Sequence, residues 1–154
     1  ATLALVLDAT RGRGDIHLRA ACCGGEALPR LLADRFICQT GARLTNLYGP
    51  TEATIFATAW ACMASDAGNG PMPVGLPAGG AVIRLIGRDG DLAALGAVGE
   101  ICIGGAGLAQ GYAGQPALTA ARFVPDPVTP IAPAIWGAGA MMARCGFWAG
   151  WIVR

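Results

Sequence analysis

The feature that most constrains the fold is the order of short apolar segments in the first third of the chain. Residues 18–23 are apolar and end at Gly24 and Gly25, which predicts a buried strand running into a tight turn. Apolar residues then recur at helical spacing, with a glycine beyond them: Leu28, Leu31, Leu32, Phe36 and Gly41. Residues 43–47 predict a second strand, and the order strand, helix, strand favours a parallel α/β sheet.

The pattern changes near Asp66, where a loop rich in Gly and Pro begins. Before it, residues 55–62 are apolar and partly β-branched, which predicts a further strand of the same layer. Beyond it, the predicted elements are strands at 81–86 and 99–103, a turn between them at 88–91 and a helix at 117–123. The predicted fold class is therefore α/β, with a parallel α/β layer followed by a mostly β section.

Charge and cysteine content argue against several classes of function. The net charge is +1, Lys is absent and the Arg residues form no basic run, so we expect no nucleic-acid partner. The uncharged stretch at residues 127–143 is shorter than the ~20 residues of a membrane helix and is interrupted by Pro and Gly, so no membrane association is predicted. The six cysteines lie mostly among apolar residues without a Cys-x-x-Cys pair, which predicts buried, reduced thiols in a cytoplasmic protein.

The strongest functional signal is the sequence NLYGPTE at residues 46–52. A strand end enters a Gly-Pro turn that presents an amide, an aromatic ring, a hydroxyl and a carboxylate together. In open α/β sheets, ligands bind beyond the carboxyl ends of strands, where this loop would lie. An aromatic ring can stack on a base and a carboxylate can hold Mg²⁺. Without further information, an ordinary strand-to-loop junction explains the pattern equally well.

Four ordered segments resemble the adenylation domains of nonribosomal peptide synthetases, which belong to the adenylate-forming enzymes. They are GGEAL at 24–28, NLYGPTE at 46–52, GEICIGGAGLAQGY at 99–112 and LTAARFV at 118–124. The third is similar to the glycine-rich GELCIGG…GLARGY segment of that family, although Gln110 stands where the family usually has Arg. Its glycines are better explained by tight turns in a β subdomain than by a phosphate loop. The resemblance covers about residues 3–128.

The resemblance implies an ATP site on the NLYGPTE loop. Tyr48 would stack on adenine and Asn46 would bond its amino edge. Thr51 would touch the phosphates and Glu52 would help to hold Mg²⁺, which makes these two the implied catalytic residues. The complete set of implied nucleotide-binding residues is Gly24, Gly25, Asn46, Tyr48, Gly49, Thr51 and Glu52.

The resemblance also implies a pocket for the amino-acid substrate. Gly24 and Gly25 would let the backbone pass close to substrate and nucleotide. The implied pocket positions are apolar or nearly so: Ala21, Cys23, Leu47, Ile55 and Phe56. Plain core packing is the alternative explanation for these five residues.

What the resemblance implies for function is amino-acid activation, in which ATP and an amino acid form an aminoacyl-adenylate. ATP and Mg²⁺ would be the cofactors, with phosphopantetheine on a neighbouring carrier domain; the partners would be the rest of the synthetase and that carrier domain. An acyl- or aryl-CoA ligase of the same superfamily is one alternative, which Pro50 argues against because those relatives usually place another residue there. An inactive gene fragment is the other alternative.

The likeness is lost after Val128. A Tyr-Arg-Thr-Gly-Asp-Leu motif, whose aspartate holds the ATP ribose in the family, is absent, and the chain reads IWGAGAMM at residues 135–142 instead. Residues 1–128 are thus interpreted as part of the large N-terminal subdomain of an adenylation domain, and residues 129–154 as an unassigned tail. A shift of reading frame and natural divergence are the two explanations for the tail. Because the family's catalytic lysine and its amine-binding aspartate have no counterpart here, the isolated chain is expected to be inactive.

Overall fold

The computed structural model describes residues 2–10, 17–66, 70–126 and 128, together with the backbone of 133–136, 142–144 and 152–153. The helices are α1 (Thr2–Ala9), α2 (Arg30–Thr40), a 3₁₀ turn (Thr51–Ala53) and α3 (Pro116–Arg122). The strands are β1 (Ala20–Gly24), β2 (Arg43–Tyr48), β3 (Thr58–Cys62), β4 (Leu76–Pro77), β5 (Ala81–Ile86), β6 (Val98–Gly105), β7 (Phe123–Pro125), β8 (Pro133–Trp136), β9 (Met142–Arg144) and β10 (Ile152–Val153).

The first sheet contains the predicted parallel unit. Strands β1 and β2 pair in parallel and α2 forms the crossover between them. The helix ends where the glycine signal predicted, because Gly41 adopts a left-handed φ of 64° and its N–H caps the carbonyl of Ile37. Ala33 and Phe36 face the core, whereas Leu31, which also fits the helical pattern, is 84% exposed. The strand, helix, strand prediction is confirmed.

Strand β3 departs from the parallel arrangement expected for this layer. It pairs with β2 in the antiparallel sense and covers Thr58–Cys62, whereas the predicted strand began at Ile55. Since β2 ends at Tyr48 and β3 begins at Thr58, only nine residues separate them. A parallel connection needs a crossover of about a dozen residues or more, so this link can only form a hairpin. Residues 55–57 belong to the turn.

The second sheet is the predicted β section. Strand β5 has the predicted bounds and pairs antiparallel with β6 along six residue pairs, from Ala81 opposite Gly105 to Ile86 opposite Glu100. The predicted turn lies between them, where the N–H of Gly87 bonds the carbonyl of Asp91 at 2.8 Å. In the described part of the chain, β8 and β9 also pair with β6. The fold class, a partial α/β fold of the adenylate-forming type, is confirmed.

Two apolar clusters stabilise the described residues. One packs α1 and α2 against the first sheet and includes Leu7, Phe36 and Leu44. The other joins the residues after the Gly-Pro turn to the second sheet and includes Ala53, Ala57, Ile83, Leu85, Ile101 and Ile103. The NLYGPTE loop therefore lies between the two sheets.

The cysteines follow the prediction only in part. Cys62 and Cys102 are buried, and burial raises the pKa of each thiol to about 11. Cys22 and Cys38 are exposed, so the expectation of burial was wrong for them, and Cys145 lies outside the described residues. The five described cysteines are free thiols, and the reduced state of the protein stays a prediction.

The tail after Val128 is described only as backbone, in three short strands, so its origin by frame shift or divergence stays a prediction. None of the helices in the described part of the chain has the length and apolarity required to cross a lipid bilayer.

Candidate functional site

The parallel pairing of β1 and β2 places their carboxyl ends side by side. Gly24 lies opposite Leu47, so the Gly24–Gly25 turn adjoins the start of the Gly-Pro turn. A Cβ on Gly24 would lie 2.7 Å from the carbonyl oxygen of Leu47, which only glycine avoids. Gly25 has a φ of 88° and open space around its missing Cβ, so a ligand could approach its backbone closely. The structure thus brings together the two motifs predicted to form one site.

Residues 49–57 form a compact loop. The N–H of Ala57 bonds the carbonyl of Tyr48 at 2.8 Å, and a Cβ on Gly49 would lie 2.5 Å from the Cα of Phe56. Gly49 is therefore required for the loop to close on itself, and its nucleotide contact stays a prediction. Thr54 and Ile55 have φ of 57° and 74°, which is strained for a β-branched residue such as Ile55.

Glu52 lies in the 3₁₀ turn and is half-buried. Its Oε1 accepts a hydrogen bond of 2.5 Å from the phenol of Tyr112, and its backbone carbonyl accepts one of 2.7 Å from the N–H of Ala109. Thr51, next to it, is exposed. The structure thus places Thr51 and Glu52 together in one short turn, and their contacts with a phosphate and a cation stay predictions.

Tyr48 is half-buried at the end of β2 and packs against the cluster of Ala53, Ala57 and the second sheet. Burial raises the pKa of its phenol, so the ring is neutral at physiological pH. A neutral ring fixed by the core but partly exposed is suited to stacking on a base. Its contact with adenine stays a prediction.

Asn46 has a structural contact that the sequence did not indicate. Its side chain is 4% exposed, and Nδ2 donates a hydrogen bond of 2.8 Å to the carbonyl oxygen of Pro73. The amide therefore fastens β2 to the segment that precedes β4. The predicted bond to the amino edge of adenine would use the amide Oδ1 as acceptor, and it stays a prediction.

We expect Asn46→Ala to destabilise the fold by about 1–3 kcal/mol, because the buried carbonyl of Pro73 loses its donor. The measurement is the urea midpoint of the longer protein that contains this chain. Thr45→Ala, one residue earlier, is the control for shortening a side chain on the same strand. A midpoint that Asn46→Ala leaves unchanged would contradict a tethering role.

Two of the five predicted pocket residues line different cavities. Cys23 lines a cavity of about 480 Å³ with Cys22, Gly24 and residues of α1 and α2. Phe56 lines a separate cavity of about 180 Å³ next to β6. Ile55 is 78% exposed, and Leu47 is half-buried. Ala21 and Cys23 pack against the first apolar cluster, as the core-packing alternative expects. The substrate pocket stays a prediction.

Tyr112, Ala109 and Thr54 were missed as site residues. Thr54 Oγ1 donates a hydrogen bond of 2.5 Å to the carbonyl of Gly107, next to the contacts that Ala109 and Tyr112 make with Glu52. The available signal was the tyrosine that ends the glycine-rich segment. The predicted turns hold for part of that segment: the N–H of Leu108 bonds the carbonyl of Gly105 at 3.1 Å in a turn that follows β6, whereas Gly99 and Gly104 lie within the strand. Gly105 and Gly111 have φ of 108° and 142°.

The donor set is compatible with one Mg²⁺ ion held jointly with a nucleotide. Across the described residues, no group of three or more His, Cys, Asp or Glu side chains could hold a metal ion alone. Mg²⁺ is usually bound by one or two carboxylates, several waters and substrate phosphates. Glu52 beside an exposed Thr51 fits that mode of binding.

The sequence matches the AMP-binding enzyme family over residues 5–113. It is 42% identical to tyrocidine synthase 3 of Brevibacillus parabrevis over 113 residues, 73% of this chain and 2% of that protein. It is 39% identical to the phosphinothricin tripeptide synthetase PhsB of Streptomyces viridochromogenes over 135 residues, 87% of this chain and 10% of that protein. The chain therefore spans a small part of these relatives.

Solved structures of nonribosomal peptide synthetases have the same fold. The nonribosomal peptide synthetase FmoA3 superposes with a TM-score of 0.88 and 28% identity, covering 99% of this chain and 16% of that one. PA1221, a protein with adenylation and carrier (PCP) domains, superposes with a TM-score of 0.81 and 29% identity, covering 99% of this chain and 30% of that one. The chain belongs to the AMP-binding enzyme family, whose adenylate-forming ligases depend on ATP, and its relatives are peptide synthetase adenylation domains.

Proposed function

We propose that the chain is part of an adenylation domain that activates an amino acid as its aminoacyl-adenylate in nonribosomal peptide synthesis. The observation that carries the proposal is the junction of the Gly24–Gly25 turn with the Gly-Pro turn, whose loop continues into the 3₁₀ turn of Thr51 and Glu52. The chain covers only a small share of its relatives, so the activity is proposed for a longer protein that contains it.

The chain's own residues would bind and orient the reactants. Tyr48 would hold the base, the open backbone at Gly25 would admit the substrate or nucleotide, and Thr51 would donate a hydrogen bond to a phosphate. Joining a carboxylate to a phosphate brings two anions together, so charge must be neutralised and geometry held. Mg²⁺ would supply the positive charge that neutralises the two anions, and Glu52 would help to hold it.

The carrier domain and its phosphopantetheine are part of the same proposal. PA1221 joins an adenylation domain to a PCP domain, which supports a carrier as the neighbour that receives the activated acid. Pro50 and the peptide synthetase relatives support amino-acid activation over an acyl- or aryl-CoA ligase. The isolated chain, without a Lys residue, is expected to lack turnover.

The function is tested by amino-acid-dependent exchange of labelled pyrophosphate into ATP in the longer protein, scanned over the standard amino acids. Exchange with one or a few amino acids is expected, and no exchange with any of them would reject the proposal. Exchange with a carboxylic acid that has no α-amine would favour the CoA-ligase alternative.

We expect Tyr48→Ala to weaken ATP binding in the same protein by about 1–3 kcal/mol, the value of one base–aromatic stack. Tyr48→Phe is the matched control, because it keeps the ring and should bind ATP like the wild type. The measurement is calorimetric titration with a non-hydrolysable ATP analogue. Equal affinities for all three proteins would show that the ring does not hold the base.

A further inference from the structure

The glycine-rich segment fastens the turn that carries Glu52. We define residues 107–112 as the clasp, because three of its groups contact residues 52–54. The carbonyl of Gly107 accepts from Thr54 Oγ1 at 2.5 Å, the N–H of Ala109 donates to the carbonyl of Glu52 at 2.7 Å, and the phenol of Tyr112 donates to Glu52 Oε1 at 2.5 Å. The clasp thus holds both the backbone and the carboxylate of this turn.

Tyr112 is itself held on two sides. Its ring meets Phe123 edge to face, with centroids 5.5 Å apart and planes at 77°. Its backbone N–H donates to Thr119 Oγ1 at 2.9 Å, and a Cβ on Gly111 would lie 2.5 Å from Thr119 Cγ2. Helix α3 therefore fits closely against the end of the clasp, and the phenol has little freedom to leave Glu52.

We propose that Tyr112 is a positioning residue for Glu52: its phenol fixes the carboxylate so that the second oxygen can face a nucleotide-bound cation. The inference rests on the proposed function and adds a residue to its site. A hydrogen bond to an ionised acceptor is stronger than a neutral one and restricts its rotation.

The test compares Tyr112→Phe in two backgrounds of the longer protein, the wild type and Glu52→Gln. The phenylalanine keeps the ring against Phe123 and removes only the hydroxyl. The measurement is the Mg²⁺ concentration at which binding of a non-hydrolysable ATP analogue, followed by calorimetry, is half-maximal. Pyrophosphate exchange is the second readout. In the wild-type background Tyr112→Phe should raise this concentration about tenfold.

In the Glu52→Gln background the same substitution should have almost no further effect, because the carboxylate to be positioned is gone. An equal effect in both backgrounds, no effect in either, or loss of a cooperative urea transition in Tyr112→Phe would overturn the inference. If the proposed function alone were wrong, the wild type would show no amino-acid-dependent exchange. The calorimetric comparison would then still decide the role of Tyr112.

Discussion

Replacing Glu52 by Gln in the longer protein is expected to lower amino-acid-dependent pyrophosphate exchange by about 10²–10³-fold. Losses of that order follow when one preorganised group that stabilises transition-state charge is removed. The glutamine has the same shape and keeps an oxygen that can accept from Tyr112, so the turn should stay folded while the negative charge proposed to hold the cation is lost. The initial rate of exchange at fixed Mg²⁺ measures the effect.

The control for the loss of one carboxylate is Asp89→Asn. Asp89 is exposed in the turn between β5 and β6 and belongs to none of the predicted site motifs, so the exchange rate of Asp89→Asn should match that of the wild type. The urea midpoint of Glu52→Gln should stay near that of the wild type. A Glu52→Gln protein that exchanges pyrophosphate as fast as Asp89→Asn would remove Glu52 from the site.

Gly75→Ala is expected to destabilise the domain by about 2–5 kcal/mol. Gly75 has a φ of 91°, and a Cβ there would lie 1.9 Å from the carbonyl oxygen of Ala59 in β3. A left-handed non-glycine residue costs about 1–2 kcal/mol, and forcing extra volume into packed structure costs about 1–3 kcal/mol more. The clash is with backbone, which cannot rotate away as a side chain can. The measurement is the urea midpoint of the longer protein.

Gly80→Ala separates the two contributions. Gly80 also has a left-handed φ, 78°, but its missing Cβ faces open space, so the substitution should cost only about 1–2 kcal/mol. A midpoint for Gly75→Ala no lower than that for Gly80→Ala would mean that β3 and the segment before β4 do not pack this closely in solution.

The sequence predicts local structure well where one chemical signal decides it. The glycine after α2 marks the helix end, and β5 has the predicted bounds, because a left-handed cap and an apolar β-branched run are local features. The predicted direction of β3 was wrong. The sequence contains the reason, because the short connection between β2 and β3 allows only an antiparallel pair. Leu31 and Cys38 were expected to be buried, but periodicity does not say how much surface a helix finds to pack against.

The candidate site was predictable as a set of motifs but not as a set of contacts. The resemblance placed Tyr48 and Glu52 in one loop, and the sheet brings Gly24 next to that loop. The bond from Asn46 to Pro73 spans 27 positions and the bond from Tyr112 to Glu52 spans 60, so no local pattern reveals either. Contacts between residues that are distant in sequence depend on how whole helices and strands pack against each other. A single amino-acid sequence does not show that packing.

The attachment of the Glu52 turn at several points has a consequence for its motion. Backbone amides of Ala53, Ala57 and Ala109 are all hydrogen-bonded within or across this turn, and both of its ends enter paired strands. Local unfolding of an exposed loop usually costs little free energy. A segment with this many hydrogen bonds to its neighbours unfolds only when those neighbours separate from it. We therefore expect the Glu52 carboxylate to move only when the two sheets move, and to keep its geometry in the absence of a ligand.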